Sequence, residues 1–67
     1  MKVWSVSMGE NHRGVFRSKL FFNFEDAKKL ADEWITDSNF KTWRWEPDGT
    51  SAVGGADYIE IELVEIH

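Results

Sequence analysis

Asn23-Phe24-Glu25-Asp26-Ala27-Lys28-Lys29-Leu30-Ala31-Asp32-Glu33-Trp34-Ile35 is the stretch on which the fold turns. Phe24, Ala27, Leu30, Ala31, Trp34 and Ile35 recur at helical spacing and share one stripe. Glu25, Lys28, Lys29, Asp32 and Glu33 take the opposite face. The pattern predicts an amphipathic helix over about residues 24–37. Asn23 suits the N-cap, because its side-chain oxygen can accept from an orphan amide, and Glu25 and Asp26 suit the positive end of the helix dipole. Asp37-Ser38-Asn39 ends the pattern.

Outward from this helix the period changes from 3.6 to 2. Lys2 to Met8 alternates, with Trp4, Val6 and Met8 on one face and Val3, Ser5 and Ser7 on the other. A glycine-bracketed turn, Gly9 to Gly14, leads to a second alternating run from Val15 to Phe22. Its expected faces are Phe16, Leu20 and Phe22 on one side, and Val15, Arg17, Lys19 and Phe21 on the other. After the helix, Phe40 to Glu46 places Lys41, Trp43 and Trp45 on one face, and Pro47-Asp48-Gly49 forms a turn. Thr50 to Ala56, small and ending in Gly54-Gly55, reads as a long hairpin loop. Asp57 to His67 is the last strand, with Ile59, Ile61 and Leu63 opposed to Tyr58, Glu60 and Glu62. Val64 and Ile66 break its parity, predicting either a bulge near Leu63 and Val64 or a strand covered on both faces at its end. The expected fold is α+β: a single domain over 1–67, order β-β-α-β-β, with one helix on a mostly antiparallel four-stranded sheet and Phe24, Leu30, Trp34, Ile59 and Ile61 near its centre. One helix cannot cover both sheet faces, so the second must be polar or meet a partner.

The chain has 67 residues, with 12 Asp+Glu against 8 Lys+Arg, no Cys and four Trp. At this size folding buries only about 60% of the unfolded surface. Without cysteine there is no disulfide or thiolate metal site, so aromatic packing or oligomerisation must compensate, and a homodimer is one expectation. No apolar run suits a signal peptide or a membrane span; a cytoplasmic protein of a bacterial host cell, and a complete small gene product, is the expectation. The net charge of −4 argues against general binding to a phosphate backbone.

Catalytic chemistry finds little footing. His12 is the only internal histidine and in principle serves Ser18, but a loop histidine among charges is more commonly solvated. Glu60 and Glu62, about 7 Å apart on one strand face, fit acid/base or metal work. Nothing in the sequence completes a shell around them, and solubility is the plainer role. Gly49 to Gly55 lacks the lysine and the helix of a phosphate loop. The expected protein is therefore not an enzyme and takes no metal or cofactor.

Tryptophan and charge remain. Trp4 and Trp34 are expected in the core. Trp43 and Trp45 are core if their face meets the helix, and an interaction patch if it is open. Residues 1–30 carry six Lys/Arg and three acids, whereas residues 31–67 carry two and nine. Either the basic first hairpin and the acidic last strand are neighbours whose charges compensate, or the acidic segment meets a basic groove on a partner. The partner-binding candidates are Trp43, Trp45, Asp57, Tyr58, Glu60, Glu62 and Glu65. The alternative is a nucleic-acid or ligand module using Arg13, Arg17 and Lys19 with Trp43 and Trp45.

From Lys2 to about Trp45 the layout, with Ala27-x-x-Leu30-Ala31-x-x-Trp34 in its helix, resembles small bacteriophage-encoded host-antagonist proteins of the ββαββ type. The resemblance is one of layout, and no functional residue is carried over from it. It implies a stoichiometric inhibitor from a phage or prophage, anti-defence proteins included, whose partner is a host protein such as a nucleic-acid-processing or defence enzyme.

Overall fold

The computed structural model describes residues 1–38 and 42–66. The elements are β1 (Lys2–Glu10), β2 (Gly14–Phe21), α1 (Phe24–Asp37), β3 (Arg44–Trp45), β4 (Ser51–Gly54) and β5 (Asp57–Glu65). They form one antiparallel sheet in the order β2-β1-β5-β4-β3. The α+β class is as expected, but among the described residues the strands number five instead of four. Ser51–Gly54 is a strand and not loop, and its small residues have a packing reason. Ala52 is fully buried and pairs with Trp45, while a Cβ on Gly54 would come 2.5 Å from the Trp43 ring. Smallness there makes room for indoles.

The long central pair joins the first strand to the last, from Lys2 opposite Glu65 to Glu10 opposite Asp57. Cross-strand partners share a face. Trp4, Val6 and Met8 therefore lie on the same side as Leu63, Ile61 and Ile59, and this side meets α1. The core gathers Val6 and Met8, Ile59 and Ile61, Ala52, and Ala27, Ala31 and Trp34 of the helix. Ala27 and Ala31 bring the helix backbone close to the sheet. Phe24 and Leu30, expected at the centre, lie half-buried at its margins. Trp4 and Phe24 meet edge to face, with centroids 5.0 Å apart.

The helix runs Phe24–Asp37 behind Asn23. Asn23 is the N-cap by backbone, φ −115° and ψ 139°, but its side chain makes no capping bond. At the other end Ser38 Oγ donates to the Trp34 carbonyl at 3.0 Å. The expected Asn39, and Phe40 and Lys41 of the third strand, lie outside the described residues, as does His67.

Three tight turns set the registers. Arg13 N–H donates to Glu10 O at 3.1 Å before Gly14, whose φ is +77°, a type I turn closed by a left-handed residue. In the Pro47-Asp48-Gly49 turn, Gly49 N–H donates to Glu46 O at 2.9 Å. Gly55, at φ +64°, opens the two-residue loop between Gly54 and Asp57.

β5 carries no bulge near Leu63 and Val64, because its pairing with β1 is unbroken to Glu65. Nor is its end covered on both faces, since Leu63 and Ile66 remain 46% and 38% exposed. The irregularity sits in β2, where Arg17 pairs with Met8 and Val15 with Gly9, leaving Phe16 as the extra residue. That insertion moves Val15 to the face of Leu20, opposite to the expected side.

Candidate functional site

The sheet face away from α1 is covered by no other element among the described residues. Alternation puts Tyr58, Glu60, Glu62 and Val64 of β5 there, on the middle strand of the five. Glu60 stands between Ser7 on β1 and Ser51 on β4, and Ser7 is in turn opposite Ser18 on β2; Glu62 faces Ser5, itself opposite Leu20. The two carboxylates thus rise about 7 Å apart from a floor of short hydroxyl side chains. Both are exposed, and no Lys or Arg among the described residues pairs with either within 4 Å.

Apolar groups flank this acidic centre. At one end Met1, Val3, Leu20, Phe22 and Ile66 border a notch of about 170 Å³. Val3 is buried, whereas Leu20 and Phe22 are 56% and 73% exposed. At the other end Tyr58 lies over Gly9, where a Cβ would fall 2.7 Å from the phenol oxygen, and Val53 separates Tyr58 from Arg44.

Of the residues expected to bind a partner, Tyr58, Glu60 and Glu62 come together on this face. The others lie elsewhere. Asp57 is buried on the helix side, paired in register with Glu10 and Gly54. Glu65 approaches the N-terminal ammonium at 3.4 Å. Trp43 and Trp45 also take the helix side, where both pack half-buried against the core and the Lys28 ammonium sits 4.2 Å from the Trp45 ring centroid. Their face therefore meets the helix layer.

The other constellations disperse. The first hairpin adjoins the acidic strand through β1, but its cations Arg17 and Lys19 stand on β2, which β1 separates from β5. Arg17 and Lys19 project on the helix side, registered with Met8 and Val6, away from Glu60 and Glu62. β2 and β3 are opposite edges, roughly 19 Å apart at the usual strand spacing, so the basic hairpin does not adjoin Trp43 and Trp45. His12 lies in the exposed hairpin tip, and Ser18 sits four residues beyond Gly14, about 13 Å along the strand. The Gly49–Gly55 segment forms a turn and β4, with no helix after it. No group of three or more His, Asp or Glu suited to a metal occurs among the described residues, and no helix is long and apolar enough to cross a membrane. A surface concavity of about 580 Å³ runs along the outer face of α1 between charges of both signs, far from Glu60 and Glu62 on the open face.

Compared with protein families, curated proteins and solved structures, the chain matches none. The residues missed by sequence reasoning are Ser51, Val53 and Arg44, which border the open face because β3 and β4 extend the sheet. Ser5 and Ser7 carried the available signal: hydroxyls alternating with Trp4, Val6 and Met8 mark the face that stays wet.

Proposed function

We propose that the protein is a non-enzymatic, stoichiometric binder of another protein, which it engages with the open sheet face. The observation that carries this reading is the placement of Glu60 and Glu62, uncompensated on the middle strand and flanked by exposed apolar groups. An acidic centre with an apolar rim suits a partner with a basic, partly apolar groove, and the net charge of −4 steers the molecule toward such a surface. A host nucleic-acid-processing or defence enzyme, antagonised by a phage- or prophage-encoded protein, has the required groove, because its own substrate is a polyanion. Tyr58 supplies the aromatic anchor, held in place by its seat over Gly9.

The test is affinity capture from nuclease-treated bacterial lysate, followed by titration of the purified partner. Glu60/Glu62→Lys should abolish binding while the melting temperature stays near that of the parent. Partner binding that survives the reversal, or hydrolytic turnover lost with the same two carboxylates, would sink the reading. Tight DNA or RNA binding lost on Arg13/Arg17→Ala would replace it with a nucleic-acid module.

A further inference from the structure

The two edges of the sheet differ. β3 has two residues, a short edge of the kind that resists further pairing. β2 has eight, is bonded to β1 on one side only, and every residue from Gly14 to Leu20 is exposed. Among the described residues its outer rim pairs with no other strand, leaving N–H and C=O groups directed outward along an extended run. Beyond the bulge at Phe16 the pairing from Arg17 to Phe21 is regular, a straight length to which another strand can add.

The side chains of this edge specify what that strand carries. Arg17 and Lys19 stand at i and i+2 on the helix side, about 6.6 Å apart. Aromatic rings hold both: the Arg17 guanidinium lies 5.1 Å from the Trp34 centroid and 5.6 Å from that of Phe16, and the Lys19 ammonium 5.5 Å from that of Phe21. Neither pairs with a carboxylate within 4 Å among the described residues. On the opposite face Leu20 and Phe22 are exposed. Cations alone would blunt an edge; two large apolar groups beside them do not.

From this we infer that β2 is a strand-addition site for an extended acidic segment of a partner protein, with acidic residues at alternate positions and apolar residues between them. Carboxylates on the added strand face Arg17 and Lys19, and apolar side chains cover Leu20 and Phe22. Charge selects this occupant over a second copy. Antiparallel self-pairing about Ser18 sets Arg17 opposite Lys19, parallel self-pairing sets each cation beside its equal, and like charges directly opposite are destabilising. The site shares Leu20 and Phe22 with the rim of the open face but does not use Glu60 or Glu62, and it stands whether or not those carboxylates bind a partner.

The probe is a capped fluorescent peptide of about seven alternating valine and glutamate residues, followed by anisotropy against the full chain. The peptide should bind and slow hydrogen exchange at outward-facing amides between Arg17 and Phe21. Lys19→Glu, which leaves the Arg17 contact with Trp34 intact, should weaken binding about ten-fold, and Arg17→Glu/Lys19→Glu further, with a lysine-for-glutamate peptide regaining it. Methylating alternate backbone nitrogens of the peptide on the edge that faces β2 should abolish binding, because strand addition needs those donors. Equal affinity for the methylated peptide, or for Lys19→Glu, would overturn the inference. So would displacement of the peptide by a short single-stranded DNA, which would make the edge a nucleic-acid contact. A dimer that forms through β2 and excludes the peptide would assign the edge to a second copy.

Discussion

The Trp43 ring lies against Gly54 so closely that a Cβ there would meet its six-membered ring at 2.5–3.0 Å. This contact fastens the segment entering β3 to β4, at the edge farthest from the first hairpin. Gly54→Ala forces the indole or the strand to move, and overpacking of this kind costs about 1–3 kcal/mol. The expected result is a lower urea midpoint with a shifted tryptophan emission. A variant as stable as the parent would show that the ring yields freely.

Trp34 fixes the helix to the sheet. It is buried with Val6, Met8, Ile59 and Ile61, and the Arg17 guanidinium lies over its ring. Trp34→Ala should cost about 3–5 kcal/mol. A chain of this length has a total stability of roughly 3–10 kcal/mol, so thermal melts should show the variant largely unfolded at 37 °C. Arg17→Ala removes only the cation on the ring, and should cost about 1 kcal/mol or less.

The contrast between these two contacts shows what the sequence makes legible. Trp34 announces itself through helical spacing, and Ile59, Ile61, Glu60 and Glu62 through strict alternation, because local periodicity follows directly from which face is wet. Gly54 and Ala52 read as loop, since smallness alone does not distinguish a turn from a floor beneath an indole. The side taken by Trp43 and Trp45 depends on pairing with β4, a relation absent from local pattern. Val15 changes face through one inserted residue, Phe16, opposite Met8 and Gly9. Glu60 and Glu62 were recognisable as a pair, but their isolation from Arg17 and Lys19 follows only from the strand order.

Asp48 gives the fold a pH-dependent contribution. The Thr50 backbone N–H donates to its carboxylate at 2.9 Å, and this bond holds the carboxyl below its ordinary value of 3.8. A pKa depressed in the folded state means the charged form stabilises the native turn. The contribution is fully present above pH 3.8 and is lost as pH falls through the folded value. Asp48→Ala should therefore lower the melting temperature at pH 7, and the gap should close in strong acid. A gap unchanged by acid would attribute the effect to turn propensity alone.

Glu60 and Glu62 are a poor choice for stability. Glutamate is disfavoured in strands relative to threonine, and here two like charges share one face without an ion-pair partner among the described residues. If they are retained for binding, Glu60/Glu62→Thr should raise stability by at most about 1 kcal/mol, with part of the gain disappearing at high salt as repulsion is screened. Urea denaturation at low and high ionic strength measures this. The same variant should lose the partner captured by the parent, so that stability and binding move in opposite directions. A decrease in stability would instead show that the serines around Glu60 and Glu62 and the carboxylates form a structural network, and would remove the physical argument that these charges are kept for a partner.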